Sequence, residues 1–218
     1  MNILIMGAPG SGKGTLSKMI APKFNLKHIS TGDLFRKEIA SKSAQGQIIA
    51  NAINKGNIAP SDILIDVMKK QLSKPANKDN MLLDGFGKTV DEIKELDNFY
   101  RIDKVIWLDV DYNTVLNRIL SRRICPECGF ITTTSETSNG LCPKDSQILV
   151  VREDDNAEVF KKRYEIFKEL TLPIYDYFKA KGKVEKIDAN KSIDKNYAEI
   201  CKILTKTKQK LEENSKIY

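Results

Sequence analysis

A short apolar segment that runs directly into a glycine-rich loop is the feature that most constrains the fold. Residues 1–6 have the length and hydrophobicity of a buried strand, residues 7–15 read GAPGSGKGT, and residues 11–24 have a helical pattern. Glycines let backbone N–H groups turn inward around an anion, and a helix N-terminus adds positive charge. We therefore expect a phosphate-binding loop in which Lys13 reaches the bound phosphate.

Predicted strands and helices alternate along the rest of the chain. Further strands are expected at residues 26–30, 81–84, 105–110 and 184–187. Helical patterns cover residues 31–59, residues 63–72 and the charged stretch from residue 196. The predicted buried stripe of that last helix comprises Tyr197, Ile200, Cys201 and Leu204. This alternation predicts an α/β fold: a P-loop NTPase-like parallel sheet with helices on both faces.

Composition limits the classes of protein that the chain can represent. It has 218 residues, a net charge of +7 and a pI of about 9.1. A basic balance suits polyanionic partners, although a lysine-rich solvated surface would also account for it. Because the chain shows neither a secretory signal nor an apolar run of membrane-helix length, we expect a cytoplasmic protein that binds no membrane.

The loop sequence Gly-x-Pro-Gly-x-Gly-Lys-Gly-Thr resembles that of adenylate kinases, and the similarity extends along nearly the whole chain. The resemblance implies reversible phosphoryl transfer from Mg²⁺·ATP to AMP by a monomeric nucleoside monophosphate kinase, with ATP and AMP as its partners. It also implies a core of residues 1–29, 60–120 and 157–218, a helical acceptor-binding lobe of residues 30–59 and a zinc-binding lid of residues 121–156. The ATP-binding positions that it implies are Gly10, Ser11, Gly12, Lys13, Gly14, Thr15, Arg118, Arg122 and Lys191.

Three segments resemble the acceptor side of that family: residues 28–36, 56–62 and 84–89. Arg36 offers a planar fork to a monophosphate, whereas His28 is assigned no role. The AMP-binding positions that the resemblance implies are Thr31, Arg36, Asn57, Ala59, Gly85, Lys88, Glu92, Arg152 and Arg163.

The third of these segments departs from the family pattern Asp-Gly-Phe-Pro-Arg-Thr. Gly87 replaces a proline, Lys88 replaces an arginine, and Glu92 replaces a glutamine that reads the adenine edge. Lysine keeps the charge but loses the bidentate fork. An ionised glutamate can accept two N–H groups from guanine, so a preference for GMP stays open as an alternative to AMP.

The implied catalytic residues act on charge rather than through covalent chemistry. Asp84 ends a strand and would order the waters around Mg²⁺. Arg118 and Arg122 are four residues apart, which predicts one helix face. The cations that we expect around the transferred phosphoryl group are Lys13, Arg36, Lys88, Arg122, Arg152 and Arg163. A phosphate acceptor is already ionised, so no general base is nominated.

Cys125-x-x-Cys128 and Cys142-x-x-Asp145 form a closed set of three thiolates and one carboxylate. This donor set predicts a structural zinc ion in the lid, with iron as the alternative metal. A zinc-ribbon protein that binds nucleic acid is a rival reading of the cysteines and the basic charge. Such a module has no need for the phosphate loop, Asp84 and the spaced arginines together, so we expect no nucleic-acid partner.

Overall fold

The computed structural model describes residues 1–77, 79–137 and 139–214. The strands, in chain order, are β1 (Ile3–Gly7), β2 (Lys27–Ser30), β3 (Met81–Asp84), β4 (Lys104–Asp109), β5 (Arg122–Ile124), β6 (Ile131–Thr133) and β7 (Val184–Asp188). The helices are α1 (Lys13–Lys23), α2 (Thr31–Ala40), α3 (Ala44–Asn54), α4 (Ser61–Leu72), α5 (Val90–Phe99), α6 (Tyr112–Ser121), α7 (Ala157–Ile166), α8 (Pro173–Ala180) and α9 (Ile193–Asn214). A 3₁₀ turn, Pro75–Asn77, precedes β3, and a π-helical segment, Phe167–Thr171, links α7 to α8.

Five of these strands form one parallel sheet in the order β2-β3-β1-β4-β7. Alternate side chains of β1 enter two different hydrophobic clusters. Leu4 and Met6 pack with α4, α5 and α8, whereas Ile3 and Ile5 pack with α1, α6 and α9. Side chains of a strand alternate between the two faces, so helices cover both faces of the sheet. The predicted α/β class with a parallel sheet is confirmed.

The carboxyl ends of the central strands carry the sequence motifs. β1 runs into the glycine-rich loop, β3 ends at Asp84, and the Gly85 N–H donates to the Ile5 carbonyl across the two strands at 3.1 Å. Parallel strands end at the same edge of a sheet, so residues far apart in the chain meet there. α2 and α3 lie between β2 and α4 in the chain.

Residues 121–156 form a small irregular segment with its own short sheet. β5 and β6 pair antiparallel, and isolated bridges join Ile124 to Val150 and Leu141 to Ile148. Its small interior consists of Cys125, Cys142 and Leu149, with Phe130 packed against them. So small an apolar cluster offers little hydrophobic stabilisation.

Several local predictions need correction. α6 ends at Ser121 and Arg122 is extended, because it pairs with Thr133 in β5–β6, so Arg118 and Arg122 do not share a helix face. The helical stretch 31–59 is two helices, interrupted where Lys42 adopts φ of 56°. α9 begins at Ile193 rather than at residue 196. Residues 90–99 form α5, a helix that the sequence analysis did not predict.

The buried stripe expected in α9 is correct at Ile200 and Leu204, whereas Tyr197 and Cys201 are only half-buried. No helix among the described residues is long and apolar enough to span a bilayer.

Candidate active site

The loop between β1 and α1 is shaped by glycines in the left-handed region. Gly10 and Gly12 have φ of 81° and 94°, and a Cβ at Gly10 would lie only 2.9 Å from both Ile119 Cγ1 and the Val115 carbonyl oxygen. Gly12 is the N-cap of α1 and supplies no side-chain cap, so the first amides of α1 can serve an anion. Ser11 is buried beside them.

Lys13 lies under this loop. Its Nζ donates to the carbonyls of Gly7 and Ala8 at 2.8 Å each, and Ser11 Oγ lies 3.4 Å away. Burial, and then the nearby charge of Lys88, lowers the pKa of Lys13 to about 7; Arg163 and Arg122 add to the effect, and Asp84 opposes it. A bound phosphate would reverse the electrostatic part of that shift.

Asp84, at the end of β3, is the carboxylate that faces the loop. It is 7% exposed, its Oδ2 lies 3.5 Å from His28 Nε2, and a Cβ at Gly14 would lie 3.5 Å from the same oxygen. Gly14 therefore leaves room between α1 and the carboxylate. Hard cations such as Mg²⁺ take oxygen ligands and keep several waters, so Asp84 fits the predicted role of ordering water around the ion.

Lys88 is the second half-buried lysine of the site. Burial, and then Arg163, lowers its pKa, against the opposing effect of Glu92 and Asp84. Its Nζ lies 3.4 Å from the Gly85 carbonyl oxygen, and its backbone N–H donates to Glu92 Oε2 at 2.6 Å. Gly85 itself brings the backbone close to Lys13, because a Cβ there would lie 3.7 Å from Lys13 Cε.

The carboxylate of Glu92 is occupied by hydrogen bonds from the protein. Oε2 accepts from the backbone N–H groups of Lys88 and Thr89, which completes a capping box at the start of α5, and Oε1 accepts from Ser61 Oγ. The residue is 3% exposed. A contact from Glu92 to a nucleotide base would have to share or replace these bonds, so its base-reading role stays a prediction.

Three arginines from residues 121–163 complete the cationic surface. Arg122 forms a bidentate pair with Asp155, in which Nε donates to Oδ2 at 2.7 Å, and Arg163 pairs with Asp154. Arg152 differs, because its buried Nε has no hydrogen-bond partner among the described residues. Burial, and then Arg122 and Arg36, lowers the pKa of Arg152 to about 10.

The implied acceptor residues have mixed surroundings. Thr31 is buried, and its Oγ1 finds no hydrogen-bond partner in the described part of the chain. Arg36 pairs with Asp33 one helical turn earlier. Asn57 exposes its side chain and uses its backbone N–H to bond Ala52, whereas Ala59 belongs to the hydrophobic core. Thr31, Arg36 and Asn57 therefore offer side-chain groups, whereas a polar contact from Ala59 would come from the backbone.

On the donor side, the loop after β7 lies against the phosphate loop. Arg118 Nη2 donates to the Ala189 carbonyl at 3.0 Å, and Ile193 Cδ1 would lie 3.7 Å from a Cβ placed on Gly12. Lys191 forms an ion pair with Glu199, 3.3 Å apart, and is well exposed. The stacking of Arg118 on the donor base stays a prediction, and Lys191 is directed towards α9 in this structure.

The structure brings the four predicted metal ligands together. One ligand atom from each of Cys125, Cys128, Cys142 and Asp145 can be chosen so that all lie within 4.8 Å of one another. Cys128 Sγ and Cys142 Sγ are 3.6 Å apart, and Cys125 Sγ is 3.3 Å from Asp145 Oδ2. A tetrahedral zinc site with ordinary bond lengths requires about 3.8 Å between sulfurs and about 3.5 Å between sulfur and oxygen, so the donors fit that metal.

The 121–156 segment lies close to the site, as do α2 and the turn after α3. Lys18 Nζ, on α1, donates to the Gly129 carbonyl at 2.6 Å. The charges of Arg36, Lys18 and Arg152 together outweigh burial and hold the pKa of Asp33 below its ordinary value. A Cβ at Gly56 would lie 3.1 Å from the Val159 carbonyl oxygen. Elements from three parts of the chain therefore close around the same volume.

Sequence reasoning missed several residues that contact this site. Asp33 carries a local signal, because it lies three residues before Arg36. The position of His28 beside Asp84 can be predicted only once the register of β2 on β3 is known. Lys18 and Thr171, whose Oγ1 donates to the Lys88 carbonyl at 3.0 Å, have no sequence signal, since their partners lie far away in the chain.

Comparison with known proteins gives one family for nearly the whole chain. The family model described as adenylate kinase matches residues 5–183. The chain is 37% identical over 212 residues to the adenylate kinase of Thermosipho africanus, covering 94% of this chain and 99% of that protein. It is 34% identical to that of Clostridium perfringens, covering 94% and 98%, and 35% identical to that of Clostridium tetani, with the same shares covered.

Proposed function

The chain belongs to the adenylate kinase family, and we propose that it transfers the terminal phosphoryl group of ATP reversibly to AMP, giving two ADP. The observation that carries this proposal is the convergence of cations at one edge of the sheet. Electrostatic coupling links Lys13 with Lys88, Arg122 and Arg163, and links Arg152 with Arg36. Charges that lower one another's pKa at a buried position suit a ligand with several negative charges.

In this proposal, the residues act by position and charge. The loop amides and Lys13 hold the phosphates of ATP, while Arg36 and Lys88 hold the phosphate of AMP. Arg122, Arg152 and Arg163 lie where negative charge spreads over the phosphoryl oxygens in the transition state. Mg²⁺ bound with ATP supplies further charge neutralisation, and Asp84 orients its water ligands.

In this proposal, the segment 121–156 also excludes water from the phosphoryl group. If water reached the phosphoryl group, ATP would be hydrolysed instead of being used by AMP. Arg122 and Arg152 lie on the same segment as the cysteine cluster, so its closure brings catalytic cations and a water barrier together. The Asp154 and Asp155 carboxylates hold Arg163 and Arg122 in place from that segment.

AMP is the acceptor that the family and the geometry favour together. The case for GMP rested on two free carboxylate oxygens at Glu92. Both oxygens already accept hydrogen bonds from Ser61, Lys88 and Thr89, so a guanine edge would have to share or replace these bonds. The nucleic-acid-binding alternative is not favoured either, because the matched family accounts for nearly the whole chain.

A coupled assay of ADP formation tests the proposed function. ATP is held constant while AMP, GMP, UMP and CMP are supplied in turn, and kcat/KM is compared. We expect AMP to give the largest value and Lys13→Met to reduce it by about 10²-fold or more. A larger value for GMP would overturn the assignment of the acceptor, and no transfer to any acceptor would overturn the proposal itself.

We also propose one structural zinc ion per chain, held by Cys125, Cys128, Cys142 and Asp145. A closed set of four protein ligands leaves no open position for catalysis, and metal binding would stabilise a segment with a very small core. Elemental analysis should find about one zinc per chain. Cys128→Ser should lower the melting temperature, whereas Cys201→Ser, far from the cluster, should not. A metal-free protein with an unchanged melting curve would contradict the zinc site, and iron in its place would correct the metal.

The cytoplasmic location and the monomeric state stay predictions from the sequence. Sedimentation of the purified protein tests the second of them.

A further inference from the structure

The segment between α7 and α8 is an irregular turn with an identifiable cause. Helical backbone runs from Ala157 to Ala180, but Pro173 lies within it. Proline has no N–H to donate, and its ring would collide with the carbonyl four residues earlier. The chain responds with a π-helical turn in which the Leu172 N–H donates to the Phe167 carbonyl, five residues back, at 2.8 Å.

Aromatic packing holds this turn against the centre of the sheet. Phe167 stacks on Trp107 of β4 with ring centroids 6.0 Å apart, and Tyr175 meets the same indole edge-on at 5.5 Å. Trp107 is 2% exposed. The π turn is therefore fixed to the sheet on both sides of Thr171.

The extra residue of the turn changes which side chains share a face. In a regular α-helix, residues eight apart differ by about 80° around the axis, whereas residues seven apart differ by only about 20°. A π turn adds one residue, so Arg163 and Thr171, eight apart, become aligned as residues seven apart would be. Both act on Lys88: Thr171 donates a hydrogen bond to its backbone carbonyl, and the charge of Arg163 lowers the pKa of its side chain.

Thr171 is a buried polar residue whose hydroxyl has a single described partner. It is 2% exposed, and its Oγ1 donates to the Lys88 carbonyl oxygen at 3.0 Å, across 83 residues of sequence. On the other side, the Lys88 N–H donates to Glu92 Oε2. The peptide groups on both sides of the Lys88 Cα are thereby fixed, and its side chain starts from a defined direction.

We propose that Thr171 is a positioning residue for the acceptor phosphate, which acts by holding the Lys88 backbone from the π turn. The inference rests on the proposed function, because Lys88 is assigned there to the phosphate of AMP. A lysine offers a single point charge on a flexible stem, so its anchor matters more than that of an arginine with a rigid fork. The π turn thus couples the Arg163 helix to the group that receives the acceptor.

The test compares Thr171→Val, which removes the hydroxyl at nearly constant volume, with Thr171→Ser, which retains it. We expect the valine variant to raise KM for AMP about 3- to 10-fold and to leave KM for ATP within about twofold, with kcat reduced less than KM is raised. The serine variant should restore the KM for AMP. Thr207→Val is the matched control, since the hydrogen bond that the structure describes for the Thr207 hydroxyl goes to the Ile203 carbonyl within the same helix, α9.

A double-mutant cycle separates positioning from folding. In a Lys88→Met background, Thr171→Val should cause no further rise in KM for AMP, because its target side chain is gone. Additive effects would overturn the inference, as would an unchanged KM for AMP in the valine variant. Equal losses for ATP and AMP that serine does not rescue would also overturn it.

The same variants distinguish this inference from the proposed function. If the wild-type chain transferred no phosphoryl group, the proposed function would fail. Calorimetric binding of AMP to the wild type, Thr171→Val and Thr171→Ser would still decide the role of Thr171, because it requires no turnover.

Discussion

At the residue scale, the site is a group of cations that the fold holds at a cost in free energy. Lys13 and Lys88 are half-buried and have lowered pKa values, and Arg152 leaves Nε without a described partner. Charges so placed are stabilised by a polyanion rather than by the protein alone. Two predictions concern these incompletely stabilised cations, the first Lys13 and the second Arg152.

The first concerns proton uptake at Lys13. With a pKa of about 7, lowered mainly by burial, the ammonium is largely deprotonated at pH 8 in the nucleotide-free protein. An anionic phosphate favours the charged form and raises that pKa, so binding of ATP at pH 8 should take up a proton. The heat of binding should therefore differ between buffers of low and high ionisation enthalpy.

Lys13→Arg is the control for this experiment, since a guanidinium stays protonated at pH 8. The dependence of the heat on the buffer should be smaller in that variant. Identical heats for the wild type in both buffers would show that Lys13 is already charged before ATP binds.

The second prediction is that Arg152 lowers the stability of the nucleotide-free protein but supports catalysis. Arg152→Met removes a guanidinium whose buried Nε has no partner in the described part of the chain, so the nucleotide-free protein should melt at a higher temperature. The same variant loses a cation that we propose to act on the transferring phosphoryl group, so kcat should fall by about 10²- to 10³-fold. Thermal unfolding and steady-state kinetics measure the two effects.

Lys161→Met, at an exposed position on α7, should change neither quantity appreciably. A lower melting temperature for Arg152→Met would mean that the guanidinium contributes to folding rather than to a ligand site.

At the scale of the elements, the site depends on loops and helix ends. α2, α3, α5, α6 and α7 each begin with a side-chain cap, whereas α1, α4 and α8 do not. A capped helix N-terminus has one fewer amide to offer, and of the three uncapped helices α1 is the one that follows the glycine-rich loop, so its N-terminus is suited to phosphate. The 121–156 segment reaches the same helix through Lys18.

Removal of that contact should weaken closure over ATP. Lys18→Met deletes the hydrogen bond to the Gly129 carbonyl while keeping the aliphatic stem on α1. A charged hydrogen bond at an exposed position contributes about 1 kcal/mol or less, so KM for ATP should rise by no more than about 5-fold, and slow hydrolysis of ATP without acceptor should increase. Steady-state kinetics with and without AMP report both.

The matched change on the same helix is Lys23→Met, which lies at the far end of α1 and should be neutral. An unchanged KM for ATP in Lys18→Met would show that the segment closes without this bond.

At the scale of the whole molecule, a hydrophobic cluster packs on each face of the sheet. Charged side chains from distant parts of the chain lie together at the polar edge of the same sheet. Arg36, Arg122 and Arg163 come from three segments: Arg122 and Arg163 lower the pKa of Lys13, and Arg122 and Arg36 lower that of Arg152. The net charge of the chain is +7. Global stability should therefore respond to anions that bind this one edge.

Pyrophosphate should raise the melting temperature of the nucleotide-free protein more than chloride at equal ionic strength. A ligand present at about 100 times its Kd stabilises the folded state by about 2.7 kcal/mol. The gain should shrink in Lys13→Met, which removes one of the cations. Equal effects of the two anions would indicate general screening instead of a site.

Patterns that are local in sequence predicted much of this protein. The glycine loop, the helix after it and the spacing of the cysteines involve residues within a few turns of one another, so backbone preferences and ligand chemistry suffice to read them. The α/β class followed from the alternation of strands and helices. The bounds of individual elements were predicted less accurately. The spacing of Arg118 and Arg122 favoured one helix, but Arg122 pairs with β6 and is extended.

What the sequence alone determined is thus the kind of chemistry: a phosphate loop, a supply of cations and a closed set of metal donors. Only the tertiary structure decided that β1 lies between β3 and β4, that Glu92 is bound by Ser61, and that Thr171 holds Lys88. The physical reason is distance along the chain. Contacts between residues 31 or 83 positions apart depend on sheet order and helix phase, which no local pattern of side chains specifies.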